Sequence, residues 1–390
     1  MKSEGIEVAP PNINESTLTF SPNVKENVIR YGLSGISKVG EDIVQNILKN
    51  RPYESVEDFL NRVKVTKPQM INLIKSGAFD EFGDRVEIMR NYIDLISDKK
   101  KELNLRNVKM LIDFGLLPNE LDFPKRVFNF DKYIKKFKND KYYGINDIAL
   151  NFYEENFDMD LLVASDIDGA QLMIKQTDWK KLYDKQMNYI RTYIKENQKD
   201  LLEKVNSKLF NDIWDKYCLG SLSKWEMDSV SYYSHEHELA GIDTKYYGFS
   251  DFKELDETPD VERVIMIKGK EVPIFKIRRI IGTVLDRDKL KKTVTLLTTS
   301  GVVMVKIYGD VFTHYDKQIS EKGADGKKHV IEKSWLSRGN KIIVTGIRRD
   351  SDFLAKKYSR TPWHLVELIT QINENGTIKS RGVRADEEEE

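Results

Sequence analysis

One cysteine in 390 residues leaves no partner for an internal disulfide, which excludes a disulfide-stapled secreted scaffold and fits a reducing compartment. That residue, Cys218, stands between Tyr217 and Leu219 as a core side chain would. Net charge is lacking too. The 63 basic and 63 acidic side chains cancel, so no global positive field announces a nucleic-acid partner, and any such partner has to be met by local basic patches. No stretch approaches the roughly 18 apolar residues that span a bilayer, and Met1-Lys2-Ser3-Glu4-Gly5 has no apolar signal-peptide core. A soluble protein that stays in the cytoplasm where it is made is therefore expected. Apolar residues at 40% and charged residues at 32% argue against disorder throughout, and the length suits two or three domains.

The pattern along the chain predicts an α+β multidomain protein. Residues 1–98 open with the turn-rich Ala9-Pro10-Pro11-Asn12-Ile13-Asn14 and continue as short amphipathic helices. Asp42 to Lys49 carries Ile43, Val44, Ile47 and Leu48 on one stripe, and further helices follow at 56–63, 68–76 and 85–96. Pro68 fits a first helical turn and Gly77 a stop. Residues 99–255, rich in Lys, Asp, Asn and Tyr, read as mostly helical with no strand alternation. From about Pro273 the period changes to that of strands, as in Thr293-Val294-Thr295-Leu296-Leu297-Thr298 and Gly301-Val302-Val303-Met304-Val305-Lys306. Lys341 to Gly346 and Trp363 to Leu368 complete about five short strands over 273–370, the count of an OB-type barrel. Residues 371–390, ending in Ala385-Asp386-Glu387-Glu388-Glu389-Glu390, are expected to form a flexible acidic tail.

The most specific local signal is Gly32-Leu33-Ser34-Gly35-Ile36-Ser37-Lys38-Val39-Gly40-Glu41. It reads as a helix, a tight hairpin closed by Val39-Gly40, and a second helix whose free N–H groups offer a phosphate site indifferent to base identity. This is the logic of a helix-hairpin-helix, although the same residues suit an ordinary αα-turn. Leu73-Ile74-Lys75-Ser76-Gly77-Ala78-Phe79-Asp80 offers a second hairpin, and two in tandem would hold both backbones of a duplex. Ser37, Lys38, Val39, Gly40, Lys75, Ser76 and Gly77 are thus the candidate duplex-binding residues. On the barrel, eight basic side chains between Pro273 and Asp310 face three acidic ones. With its aromatic residues this patch offers charges for a backbone and rings for stacking. Lys276, Arg278, Arg279, Lys306, Tyr308, Arg348 and Arg349 are the candidate single-strand-binding residues, with Phe275 and Phe312 assigned to the core.

These segments resemble a known family. Gly5 to Ser16, Ile29-Arg30-Tyr31-Gly32-Leu33, Val39-Gly40-Glu41, Phe59-Leu60-Asn61-Arg62-Val63 and Leu73 to Asp80 resemble the end of the fingers and the tandem hairpins of the bacterial DNA polymerase III alpha subunit, a C-family polymerase. Tyr232-Tyr233-Ser234-His235-Glu236-His237-Glu238-Leu239 resembles that family's Gly-Phe-Tyr-x-Ser-Gly-His-Pro-Leu segment, and the barrel falls where the family carries its OB domain. The resemblance implies residues 1–28 at the end of the fingers, 29–98 as the tandem hairpins, 99–255 of unassigned role, and an OB domain at 273–370. One departure is Lys38, where the family hairpin carries glycine; a lysine pays strain if that position needs positive φ, although its charge can meet a phosphate.

The resemblance also implies what is missing. The family's palm carboxylates, which bind two metal ions for nucleotidyl transfer, lie upstream of anything that aligns here. The chain is therefore expected to be the DNA-binding part of a DNA-directed DNA polymerase of bacterial or phage type, with palm and Mg²⁺ on a separate polypeptide and no cofactor of its own. A sliding clamp is an implied partner, with Gln171-Leu172-Met173 and Gln176-Thr177-Asp178-Trp179 as loose candidate peptides. The alternative is a stand-alone DNA-binding accessory of repair or recombination. Metal chemistry by Asp166 and Asp168 is disfavoured because Gly169 marks a turn, and His235 and His237 have no zinc-spaced partners.

Overall fold

The structure, a computed structural model, describes residues 7–24, 26–322, 328–373 and 375–387. It forms two compact units, residues 1–89 with 220–390, and residues 90–219.

The first unit begins with a small sheet. β1 (Val8–Ala9), β2 (Ser21–Asn23) and β3 (Val28–Arg30) pair with β3 in the middle, so the predicted helical zone opens as strands. α1 (Glu41–Lys49), α2 (Val56–Arg62), α3 (Lys67–Lys75) and α4 (Arg85–Ile96) follow, close to their predicted limits. Their boundaries have local causes. The Ser55 hydroxyl accepts the Asp58 N–H at 3.0 Å to start α2, and the Gln69 side chain accepts the Thr66 N–H at 2.8 Å to start α3. Phe59 is the hub of this bundle, its ring edge-on to Tyr53 and to Phe79 at 5.0 Å each.

The unit of residues 90–219 carries α5 (Val108–Asp113), α6 (Asp122–Ile134), β4 (Phe137–Lys138), β5 (Tyr142–Ile145), α7 (Asp147–Asn156), β6 (Leu162–Ala164), β7 (Leu172–Lys175), α8 (Gln176–Glu196) and α9 (Gln198–Tyr217). The antiparallel sheet β4-β5-β7-β6 adds short strands to a region expected to be mostly helical without strand alternation. Its strands run two to four residues, too short for a period of two to stand out among lysines. One face buries Ile145 and Ile174 with Phe152, Tyr153 and Trp179 from the helices.

The first unit resumes with α10 (Leu222–Val230) and a two-stranded ribbon of β8 (Val261–Ile267) and β9 (Lys270–Phe275). The barrel follows as β10 (Arg278–Asp288), β11 (Thr293–Thr298), β12 (Gly301–Lys306), α11 (Gly309–Asp316), β13 (Ile319–Lys322), β14 (Lys328–Glu332), β15 (Lys341–Arg349), β16 (Asp352–Ala355), β17 (Val366–Ile372) and β18 (Ile378–Arg381). β10, β11, β12, β16 and β15 close back onto β10, with β12 and β16 parallel. Five strands in this order, with a helix after the third, make the OB-type barrel expected from the sequence. Alternation builds the core: Val294, Leu296, Val303 and Val305 point inward to Ile342, Val344, Phe353 and Trp335. Each such burial contributes about 1.5–3 kcal/mol.

Two barrel expectations change. The closing strand is Asp352–Ala355, while the predicted strand at 363–368 begins at Val366 and lies outside the barrel on β15. The segment expected to be a tail from residue 371 carries the end of β17 and β18 (Ile378–Arg381), and Arg384 is buried, donating to Glu332 at 2.6 Å and to the Tyr315 carbonyl at 2.8 Å. A buried guanidinium with a carboxylate and carbonyls around it fixes this segment. Glu388–Glu390 and Met1–Ile6, parts of the predicted tail and N-terminal lead, lie outside the described residues.

Candidate nucleic-acid interface

The first hairpin is held from below by apolar side chains. Leu33, Ile36 and Val39 are buried, and Gly40, extended at φ −76°, precedes α1. The N–H groups of Glu41, Asp42 and Ile43 begin the helix and have no carbonyl one turn back to pair with. Lys38 sits exposed at the turn with φ +65°, a conformation that costs a side-chain-bearing residue about 1–2 kcal/mol. The element leading into the hairpin is a single 3₁₀ turn, Leu33–Gly35, and not the predicted helix; Gly32 precedes it and Gly35 is its last residue. The Ser37 N–H is occupied, donating to the Ser229 carbonyl at 2.8 Å. Val39 is an anchor, so Lys38 and Gly40 are the exposed members of this group.

The second predicted hairpin faces inward. Lys75 and Ser76 are buried; Lys75 Nζ lies 3.2 Å from Asp228 and the Ser76 hydroxyl donates to the Leu73 carbonyl. Gly77 is at φ +86°, where a Cβ would strike the Arg85 guanidinium. These three residues bind the bundle together and cannot reach a phosphate. The turn that does face outward joins α2 to α3: Val63 is buried, whereas Lys64, Thr66 and Lys67 are exposed at the N-terminus of α3. The signal for it was Thr66-Lys67-Pro68-Gln69, a capping sequence with proline at the helix start. Lys38, Lys64 and Lys67 have no carboxylate partner among the described residues.

Sequence reasoning also missed α10, which holds the hairpins. Glu226 takes Arg85 at 3.1 Å and the backbone N–H groups of Ser234 and His235 at 3.0 and 3.1 Å. The Tyr31 hydroxyl donates to the Val230 carbonyl at 2.7 Å. Burial alone would raise the Glu226 carboxyl; hydrogen bonds from Ser234 and His235 and the Arg85 charge outweigh it and hold the group below the usual carboxylate range. Beyond it, Glu238 pairs with Lys341 of β15 at 2.8 Å, so the Tyr232–Leu239 segment links bundle to barrel. His237 accepts the Leu239 N–H and lies 3.3 Å from the Leu297 carbonyl, and burial pushes it below its ordinary value.

On the barrel the predicted residues divide. Arg279 is 8% exposed and its guanidinium is committed to Glu367 at 2.9 Å and the Tyr247 carbonyl at 3.1 Å. Arg348 donates to the carbonyls of Phe252 and Leu255. Neither presents a charge for a strand, which corrects both assignments. Arg278 pairs with Asp260 at 2.9 Å and Lys306 with Asp352 at 2.6 Å, both near the surface. Lys276 and Arg349 are exposed, and Tyr308 is 64% exposed. Val302, at 61% exposure, Met304 and Lys306 follow one another at every second residue and so share the outer face of β12, and the exposed Tyr308 lies two residues beyond its end, before α11. Phe312 is core as expected; Phe275 is half-buried with the Lys356 ammonium 5.5 Å from its ring centre.

The remaining candidates resolve as structure. Trp179 is buried and donates to Asp131 at 2.8 Å, while Leu172 and Met173 pair within β7, so neither loose clamp peptide is a free segment. Asp166 and Asp168 flank a turn with Gly169 at φ +79°, and no group of three His, Cys, Asp or Glu side chains suited to a metal occurs among the described residues. No helix among them is long and apolar enough to cross a membrane.

Residues 5–88 match the family described as the helix-hairpin-helix motif. Over 99% of its length the chain is 40% identical to the Probable DNA polymerase YorL of Bacillus subtilis and to a DNA-directed DNA polymerase of Bacillus phage SPbeta. Over nearly its whole length the chain is thus similar to part of these DNA polymerases. It spans 30% of each of those two proteins. A DNA polymerase III subunit alpha, from Chlamydia trachomatis, is 40% identical over 111 residues, 26% of this chain and 9% of that subunit. The hairpin match supports DNA binding, and the exposed turns at Lys38 and at Lys64 to Lys67 lie within the matched residues.

Proposed function

We propose that this C-family polymerase relative holds primer–template duplex through its two exposed hairpin turns and single-stranded template along the outer face of β12. In this reading the synthesis it serves uses palm carboxylates and Mg²⁺ on a separate polypeptide, with a sliding clamp as a further partner; the chain spans 30% of each of the two polymerases it matches over 99% of its own length. The carrying observation is that Lys38, Lys64 and Lys67 stand exposed without carboxylate partners, among the described residues, at helix-entry turns, in residues that match a helix-hairpin-helix. Open N–H groups and mobile ammonium groups at such turns meet phosphates of any sequence.

The test is fluorescence anisotropy of a labelled primer–template across a salt series. K38E/K64E/K67E is expected to flatten the slope of log affinity against log salt by about 2–3, near 0.9 for each phosphate that is no longer neutralised. An unchanged slope would remove the hairpins from the interface. Primer extension with Mg²⁺ and all four nucleotides should need a palm-bearing polypeptide added in trans; robust extension by the isolated chain would place catalysis within it.

Lys38 allows stability and binding to be separated. Lys38→Gly is expected to gain about 1 kcal/mol of stability, because glycine takes φ +65° without the steric cost, and to weaken duplex affinity by removing the charge. Urea denaturation and anisotropy read the two effects, which should have opposite signs.

A further inference from the structure

A cavity of about 550 Å³ opens on the barrel beside α11 and the turn after β10. Five cations line it, Arg287, Lys289, Lys292, Lys317 and Lys333, against one carboxylate, Asp316. An excess of four positive charges in one concavity is notable in a chain whose total is zero.

The carboxylate does not neutralise the site. Its side chain is 8% exposed and already committed to Arg287 at 2.8 Å, Lys289 at 3.1 Å and the Ser334 hydroxyl at 2.8 Å. Lys317 reaches Asp386 at 2.6 Å. Among the described residues Lys292 and Lys333 have no carboxylate partner. The Lys292 ammonium lies 5.1 Å from the centre of the Phe312 ring and 3.4 Å from the Thr313 hydroxyl. Its backbone is at φ +55°, a conformation unfavourable for a lysine. Hydroxyls of Thr313 and Ser337 add neutral donors to the wall.

Two ammonium groups without carboxylate partners, further cations behind them and hydroxyl donors in a concave wall form a receptor for doubly charged oxyanions. The volume lies within the roughly 300–1,000 Å³ of small-molecule sites, more than one phosphate fills. We propose that this cavity is a phosphate-binding site, taking neighbouring phosphate groups of a nucleic-acid backbone or of a free polyphosphate. None of its lysines belongs to the hairpin turns, so the site stands whether or not those turns bind duplex.

Isothermal titration of the full chain with tripolyphosphate at low salt tests it. Saturable binding is expected, with affinity falling at least tenfold in K292A/K333A and unchanged in K291A, which removes a lysine charge outside the cavity. K333E, at an exposed position, repeats the measurement should the double variant melt early. A labelled oligo(dT) then separates the sources: parallel loss in K292A/K333A with displacement by tripolyphosphate assigns the oxyanions to a strand, and unchanged oligo(dT) binding assigns them to a free polyphosphate. No saturable binding by the parent chain, equal binding by a well-folded K292A/K333A, or an equal loss in K291A would overturn the site. Duplex anisotropy through Lys38, Lys64 and Lys67 in the same buffer shows whether the hairpin reading stands separately.

Discussion

Glu226→Ala is expected to destabilise the hairpin-bearing unit by about 3–5 kcal/mol, the cost of removing one partner from a buried ion pair. The side chain is 1% exposed and receives Arg85, both backbone N–H groups of Ser234 and His235, and the Ser234 hydroxyl. Removing it leaves two backbone donors and part of the Arg85 guanidinium without an acceptor in the interior. Asp80 keeps Arg85 partly satisfied at 2.5 Å, which places the loss on α10 and its hold on the hairpins. The shift in urea midpoint reads it. A pH dependence follows from the depressed carboxyl. A group whose folded value lies below its unfolded value stabilises fully above the unfolded value, near 4.3 for glutamate, and loses that contribution as pH falls through the folded one. As pH falls below roughly 5 the parent chain should therefore lose stability more steeply than Glu226→Gln, which cannot titrate there. Equal slopes would mean that the carboxylate carries no special load.

Where the sequence was legible, local chemistry decided the structure. Ile43, Val44 and Ile47 on one stripe were sufficient for α1, and the alternating Thr293–Thr298 and Gly301–Lys306 segments were sufficient for β11 and β12. The barrel count was right because four of its five strands are long enough to alternate. The fifth, Asp352–Ala355, escaped notice because four residues following Arg348-Arg349-Asp350-Ser351 read as loop, and because Val366–Ile372 alternates better while lying outside the barrel. The sheet of residues 137–175 was hidden in the same way.

The interface was less legible because exposure is a tertiary property. Lys75-Ser76-Gly77 has the composition of a phosphate turn, yet Asp228 and Arg85, both far along the chain or across the bundle, turn it inward. Lys64 and Lys67 look ordinary in sequence and become available only because Val63 is buried beneath them. Lys38 was the exception. Its departure from glycine flagged a positive φ, and the turn has one.

Arg279→Ala is expected to cost about 3–5 kcal/mol and to leave the salt dependence of single-strand binding unchanged, the reverse of what a surface arginine would do. Its guanidinium pairs with Glu367, whose other oxygen accepts the Ser380 hydroxyl at 2.9 Å, and lies 5.0 Å from the centre of the Phe249 ring and 5.4 Å from that of Trp363. Truncation would strand a buried carboxylate where β10, β15, β17 and β18 adjoin. Its neighbour Arg278 pairs with a half-exposed Asp260, so Arg278→Ala should change stability by less than about 1 kcal/mol. A joint substitution would confound the two, since a failure to fold would pass for weakened affinity. Denaturation and oligo(dT) titration of the single variants separate them, and a flattened salt slope in a fully folded Arg279→Ala chain would return that arginine to the surface.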